Sequence, residues 1–140
     1  MYTPLQEVTG LGIDVVSLRH FEAFVCRYDD DELAEIFTKA ELSAADRGSR
    51  VLYLATRWAL KEAAMKALGT GWAKGVLWTD IEGVGELSAP YLCLHATAAQ
   101  LAEECGASGI LAHTVYTGNC VIGLVMIGPT ATPIEHRDIE

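Results

Sequence analysis

Two carboxylates and a lysine occur in apolar segments of this sequence, where charged side chains are unusual unless they take part in binding or catalysis. Glu62 belongs to the segment Arg57–Gly71, RWALKEAAMKALGTG, which is typical of a helix that ends at a glycine. At about 100° per residue, a helical wheel places Glu62 in the middle of the most apolar face and points Arg57 and Lys61 elsewhere. Since a buried carboxylate without a partner costs several kcal/mol, we expect Glu62 to be paired, to coordinate a cation or to be held protonated.

Lys66 and Asp14 are the candidate partners. Lys66 follows Glu62 one turn later on the same face, in the order that favours a Glu–Lys ion pair. Asp14 ends the apolar stretch LGID, where an acid is unusual, so the two carboxylates could share a divalent cation; a turn or cap role for Asp14 is the alternative. Mg²⁺ binds one or two carboxylates together with phosphate oxygens and water. Both acids and Lys66 together suggest a metal that holds a pyrophosphate.

The basic side chains are concentrated in one part of the sequence. Residues 39–74 carry seven basic and three acidic side chains, whereas the whole chain has a net charge of −9. A solvated helix face and a small anionic ligand such as phosphate both explain this cluster. The overall negative charge argues against nucleic acid as a partner.

The elements that must position these residues follow from periodicity and capping signals. Early helices and late strands favour an α+β fold, in which a long helix packs on a mainly antiparallel sheet. The predicted elements are strand 8–16, a helix over 18–28 capped by Ser17, short helical segments from Asp29 and from the capping box Thr38–Glu41, the long helix 49–68, strands 76–84 and 91–95, a helix over 97–105, and a hairpin of strands 110–116 and 120–127.

Length and composition fit one domain, because 51% of the 140 residues are hydrophobic and 21% are charged. We expect this domain to cover residues 1–128, with a loose tail over 129–140.

The longest apolar run, Cys120–Gly128, is far shorter than the ~20 residues of a spanning helix, and no signal peptide is visible, which predicts a cytoplasmic protein without a membrane partner. The cysteines form no CxxC pair and are expected to be reduced, mostly core thiols: Cys26, Cys93, Cys105 and Cys120.

Several motifs match one known family in the right order. Gly12-Ile13-Asp14 before a helix is similar to a G-x-D motif, and Ile36-Phe37-Thr38 with Glu41-Leu42 to an FT-x-x-E-L stretch. The other three matches are Arg57–Gly71 to RFAAKEA...KALGTG, Val76–Glu82 to a W-x-D-I-E strand, and Ala112-His113-Thr114 to an S-x-S-H-T strand. Over residues 9–127 the chain therefore resembles the holo-acyl-carrier-protein synthases, the small 4'-phosphopantetheinyl transferases.

This resemblance implies a reaction. The 4'-phosphopantetheine arm of coenzyme A would pass to a serine of an apo acyl carrier protein, with release of 3',5'-ADP and with Mg²⁺ as cofactor. By matching position, Asp14 and Glu62 would hold the metal on the pyrophosphate. Glu62, or a water on the metal, would help to deprotonate the serine, and Lys66 would balance charge on the transferred phosphoryl group.

The resemblance also implies coenzyme contacts and an assembly. His113 would lie near the 3'-phosphate of the coenzyme, and Arg57 and the Gly69-Thr70-Gly71 loop would be wall or phosphate contacts. The fold would be that of the family, a homotrimer whose active sites lie between subunits. Glu62 would then lie at an interface instead of in a sealed core.

Three departures from the family pattern bear on the substrate. Ile110 replaces a serine three residues before His113, and the turn 115–119 differs in sequence. The first helix, which is rich in arginine in the family, offers only Arg19, His20 and Arg27 for docking a carrier, and the acidic run 29–32 follows it. That run would repel an acidic carrier helix.

Two other functions are compatible with the sequence. The first is a family member that keeps the fold and the metal site but acts on an acyl-carrier-bound substrate by other chemistry. The second is a protein that binds coenzyme A or a carrier without turnover. The presence of Glu62, Asp14 and Lys66 together favours catalysis, because a binding protein does not need the metal pair.

Overall fold

The computed structural model describes residues 4–69 and 74–130 of the chain. The elements are β1 (Gly10–Ser17), α1 (Leu18–Val25), α2 (Asp30–Leu33), α3 (Lys39–Ala45), α4 (Arg50–Leu68), a 3-10 turn (Trp78–Asp80), β2 (Ile81–Val84), β3 (Tyr91–Leu94), α5 (Ala96–Glu104), β4 (Gly109–Tyr116) and β5 (Cys120–Gly128). The predicted order of helices and strands is confirmed, as is the left-handed Gly69 that ends α4 at φ 73°. The first helix is shorter than predicted.

The prediction of a strand over 76–84 is wrong in its first half. A 3-10 turn occupies Trp78–Asp80, and only Ile81–Val84 form a strand. The Asp80 carboxylate accepts the backbone N–H of Leu77 at 3.1 Å. That contact closes a turn over residues that otherwise have the composition of a strand. Only residues from Ile81 onward pair with β3.

Two antiparallel sheets confirm the α+β class. One sheet has the strand order β1-β5-β4, and the other is the β2-β3 pair. Helix α4 packs on β1 and β5 with one side and on α1, α3 and β2 with others. In the larger sheet Asp14 is paired with Gly123, whereas His113 is paired with Leu124.

Glycines let α4 lie directly on the larger sheet. A Cβ on Gly12 would come within 1.8 Å of the carbonyl oxygen of Ala63, and one on Gly123 would lie 2.7 Å from the backbone of Ala59. Since alanines of α4 face these glycines, helix and strands approach closely at this point. This contact brings β1, and therefore Asp14, next to the middle of α4.

Helix α4 is enclosed on nearly all sides, and this overturns the helical-wheel prediction. Arg57 and Lys61 are fully buried, while Glu62 is half-buried between the half-buried Trp58 and the exposed Lys66. The wheel treated the two basic side chains as solvent-facing, but each is buried with polar partners. Glu62 therefore lies on the part of the helix that remains open, not in the middle of its most buried face.

The core forms two clusters joined by α4. One lies between α4, α5 and the strands, and the other between α4 and the helices α1 to α3. Within the described residues no helix is long and apolar enough to cross a membrane. The extent of the domain over residues 1–128 stays a prediction, and residues 131–140 of the predicted tail lie outside the described residues.

The cysteines are free, but the prediction of core thiols is wrong. Cys26 and Cys105 are exposed and Cys93 and Cys120 half-buried. Two of them are C-caps, Cys26 of α1 and Cys105 of α5, and Cys120 begins β5. Positions at the ends of elements leave these side chains outside the packed interior.

Candidate active site

A cleft of about 500 Å³ opens between β1, α1 and α4. Its lining combines carboxylates with an imidazole and aromatic rings and includes Asp14, Glu62, His20, Phe21, Phe24 and Trp58. The ring centroids of Phe24 and Trp58 are 6.4 Å apart, which continues the aromatic wall from α1 to α4. The cleft thus offers both carboxylates and aromatic side chains to a ligand.

Strand β1 and helix α4 bring three sequence-predicted residues together. The Lys66 ammonium donates to Asp14 Oδ1 at 3.0 Å and to the carbonyl oxygen of Ile13 at 2.9 Å. Lys66 therefore pairs with Asp14 and not, as its spacing suggested, with Glu62. The geometric reason is that β1 passes close to α4, so a partner distant in sequence is nearer than the one a turn away.

Glu62 has an unbalanced electrostatic environment. Burial raises the pKa of its carboxyl group, the nearby charge of Asp14 raises it further, and the Lys66 ammonium opposes both effects. One ammonium thus faces two carboxylates at the cleft. A bound cation would relieve the repulsion between the two acids.

The donor chemistry of this pair fits Mg²⁺. Carboxylate oxygens are hard ligands, and Mg²⁺ is commonly bound through one or two of them plus phosphate oxygens and water. Among residues 4–69 and 74–130, no group of three or more His, Cys, Asp or Glu side chains could hold a metal ion. Asp14 and Glu62 would therefore hold it together with oxygens of a ligand.

Arg57 lies on another side of α4 from this cleft. Its guanidinium is fully buried, donates through Nη2 to the carbonyl oxygen of Gly85, and stacks 4.3 Å from the centroid of the Tyr53 ring. Nε and Nη1 have no hydrogen-bond partner among the described residues. A second cleft, of about 570 Å³, is lined there by Tyr53, Gly83, Gly85 and Arg47.

His113 lies on the opposite face of the larger sheet from Asp14. Strand residues alternate between faces, so Asp14 shares its row with Gly123 and Thr114, whereas His113 shares its row with Leu124 and Ile13. His113 is exposed. Ile110 is three residues before His113 on the same strand, so its side chain faces the opposite side of the sheet and packs against the core cluster.

The remaining predicted residues lie on α1, at the end of α4 and at the start of α2. Arg19, His20 and Arg27 are exposed on α1 or just after it, and His20 lines the first cleft. Gly69 is the left-handed C-cap of α4, while Gly71 lies outside the described residues. In the acidic run, Asp29 and Glu32 form a capping box for α2.

Sequence reasoning missed the buried ion pair of Lys61 and Glu41. Their Nζ and Oε2 atoms are 2.8 Å apart and neither side chain is exposed. Burial lowers the pKa of Lys61, and the charge of Glu41 opposes that shift. The capping box Thr38–Glu41 was a signal for Glu41, but nothing in it pointed to a partner on α4.

The fold and the cleft define a small α+β protein that presents two carboxylates and an ammonium where a strand crosses a long helix. The family model described as "4'-phosphopantetheinyl transferase superfamily" matches residues 10–116. The chain belongs to this superfamily.

Relatives with curated names and solved structures agree with this assignment. The chain is 35% identical over 116 residues to the holo-[acyl-carrier-protein] synthase of Solibacter usitatus, with 79% of this chain and 93% of that protein covered. It is similar to the crystal structure of holo-[acyl-carrier-protein] synthase from Neisseria meningitidis, with a TM-score of 0.77, 28% identity and coverage of 86% and 98%. It is also similar to the Bacillus anthracis synthase in complex with CoA (3',5'-ADP), with a TM-score of 0.67, 26% identity and coverage of 89% and 98%.

Proposed function

We propose that the chain acts as a holo-acyl-carrier-protein synthase. It transfers the 4'-phosphopantetheine arm of coenzyme A to a serine of an apo acyl carrier protein and releases 3',5'-ADP. The observation that carries this proposal is the convergence of Asp14, Glu62 and Lys66 at one open cleft. A protein that only bound coenzyme A would not need two repelling carboxylates there.

The step is a phosphoryl transfer. The serine oxygen of the carrier bonds to the phosphorus that bears the pantetheine arm, and the bond from this phosphorus to the bridging pyrophosphate oxygen breaks. The electron pair leaves with 3',5'-ADP, and the serine proton passes to the Glu62 carboxylate, which is half-buried at the open cleft. Lys66 offsets negative charge at the phosphoryl group. Mg²⁺ held by Asp14 and Glu62 would supply charge neutralisation on the pyrophosphate.

Coenzyme contacts are proposed for residues outside the first cleft. Arg57 is assigned to the wall of the coenzyme site, where its fully buried guanidinium donates to the carbonyl oxygen of Gly85 beside the second cleft. His113 is assigned to the 3'-phosphate. The glycine cap at Gly69 and the loop containing Gly71 are assigned to the wall of the site.

A homotrimer would unite these residues. The outer face of the larger sheet is apolar and open: Leu11 is 54% exposed, Ile13 49% and Val15 61%. An apolar face of this kind is suited to burial against other copies of the chain. Because Asp14 and His113 face opposite sides of one sheet, a site containing both needs two subunits.

The carrier protein is proposed to dock along α1, where Arg19, His20 and Arg27 are exposed next to the first cleft. Only acidic charges follow on α2, from Asp30, Asp31 and Glu32, which favours a carrier whose recognition surface is less acidic than usual. We also assign the protein to the cytoplasm.

Incubation with coenzyme A, Mg²⁺ and a panel of apo carrier proteins tests this function directly. Intact-mass analysis should show a carrier that gains one phosphopantetheine, and an equal amount of 3',5'-ADP should appear. Glu62→Gln is the matched control, since it keeps the shape of the side chain but removes its charge. If no carrier gains mass with the wild-type protein, the transfer function is wrong.

A further inference from the structure

The buried pair of Lys61 and Glu41 is absent from the reaction described above, yet it lies beside the residue that the reaction depends on most. Lys61 Nζ lies 2.8 Å from Glu41 Oε2 and donates to the carbonyl oxygens of Trp78, at 3.0 Å, and Ile81. This single ammonium therefore ties the middle of α4 to α3, to the 3-10 turn and to β2.

Glu41 is equally saturated. Its Oε2 accepts the backbone N–H of Thr38 at 2.8 Å, and its Oε1 accepts that of Gly83 at 2.7 Å. Both charges are fully enclosed and all their contacts are directional. A satisfied polar cluster in the interior fixes geometry more narrowly than apolar packing does.

On the side of α4 that faces β1 and β5, the directional contacts are those of the exposed Lys66 with Asp14 and Ile13, at the C-terminal end of the helix. Elsewhere on this side the helix presents Ala59 and Ala63 to Gly123 and Gly12, a surface of small groups against glycine backbone. Small residues allow close approach, but their contacts differ little if the helix rotates about its axis. Glu62 follows Lys61 directly, so a rotation of α4 would swing its carboxylate relative to Asp14.

We propose that the Lys61–Glu41 pair is a positioning device that fixes the rotation of α4 and thereby aims Glu62 at Asp14. The pair touches neither substrate nor metal and acts only through the helix. This inference rests on the proposed function, in which Glu62 and Asp14 hold a divalent cation. A buried ion pair contributes little net stability compared with an apolar replacement, whereas it can specify one arrangement among several.

Mn²⁺ binding in the absence of coenzyme A, followed by electron paramagnetic resonance, tests the positioning role apart from turnover. The test variant is Lys61→Met/Glu41→Gln, which removes both charges and leaves no lone buried ion. The protein should stay folded, but its dissociation constant for Mn²⁺ should rise about 10-fold or more, as is common when the groups orienting metal ligands are lost. With Mg²⁺ present, kcat should fall while KM for coenzyme A changes less.

Arg50→Met is the matched control, since it removes a cation from the same helix at a partly exposed ion pair with Asp46 and should leave Mn²⁺ affinity unchanged. Unchanged affinity in the folded double variant would overturn the proposal. If the double variant does not fold, Lys61→Arg, which keeps both charges but alters the directional contacts of the ammonium, carries the same expectation. Failure of both to fold would show a purely structural role and would also overturn it.

The positioning role and the proposed function fail separately. If Glu62→Gln binds Mn²⁺ as tightly as the wild type, the metal site itself is misplaced and both fail. If Glu62→Gln weakens Mn²⁺ binding but the double variant does not, only the positioning role is wrong.

Discussion

Asp14 and His113 project from opposite faces of one three-stranded sheet, although their strands are separated only by β5. Asp14 faces α4, and His113 lies among the apolar side chains of the outer face. Within one chain no rotamer change brings these two side chains together, because the sheet backbone lies between them. An active site that uses both must therefore be built from two copies of the chain.

Subunit complementation follows from this relationship. Asp14→Asn and His113→Ala should each lose most activity alone. When equal amounts are unfolded together and refolded, about one quarter of the sites should receive an intact Asp14 from one subunit and an intact His113 from its neighbour. Activity of the mixture should approach that fraction of the wild type.

The control for complementation is a mixture of Asp14→Asn with Glu62→Gln. These two residues line the same cleft of one chain, so no mixed site regains both. Recovery equal to that of the first mixture would contradict a site shared between subunits.

Light scattering should also show that Val15→Glu, on the outer face, yields monomers.

The raised pKa of Glu62 predicts a pH-dependent gain in stability when the carboxyl is removed. Its folded-state pKa exceeds the unfolded value, so ionisation opposes folding. The cost begins as pH rises through the unfolded pKa and is complete above the folded one. Without metal, Glu62→Gln should therefore raise Tm at pH 8 more than at pH 4. The corresponding gain in the free energy of unfolding should be less than about 1 kcal/mol, because the cleft is open to solvent.

Added Mn²⁺ should have the opposite effect on the difference in Tm between the wild type and Glu62→Gln. The wild type, with both carboxylates, should gain Tm at pH 8, whereas Glu62→Gln should gain less, since a ligand stabilises only the form that binds it. An equal Tm gain in both proteins would show that the ion binds elsewhere.

Gly12→Ala should affect both stability and activity. The new Cβ would lie 1.8 Å from the carbonyl oxygen of Ala63, so β1 must move away from α4. We expect a loss of about 1–3 kcal/mol in the free energy of unfolding. Activity measured well below the new Tm should also fall, because the shift separates Asp14 from Glu62. Gly118→Ala is the control, since nothing lies within 4 Å of its Cβ position.

The elements that were predicted correctly are those whose signals come from residues close together in the sequence. The capping box of Thr38 and Glu41, the glycine stop at Gly69 and the hairpin of β4 and β5 each depend on residues near one another along the chain, and the structure contains them. The superfamily was also recognisable, because its motifs carry the residues of the cleft in order.

Partners across the fold could not be predicted in the same way. Lys66 stands one turn from Glu62, yet it pairs with Asp14 because a glycine lets β1 approach α4. Arg57 and Lys61 have the charge of surface residues, and only the tertiary structure provides the carbonyl groups and the carboxylate that make their burial possible. Periodicity records which residues share a face but not what covers that face.

The acidic run after α1 should influence which carrier the enzyme accepts. Asp30 is already paired with Arg50, but Asp31 is exposed and no ion pair with it occurs within the described residues. Asp31→Arg should therefore tighten binding of an acidic carrier by about 2- to 5-fold at low salt, the range of one exposed charge pair, and the gain should shrink as salt screens it. Calorimetric titration at two salt concentrations measures both effects. Glu104→Arg, the same charge change at the end of α5, should leave binding unchanged. Equal gains from both variants would mean that net charge alone, and not the position of the run beside α1, governs carrier choice.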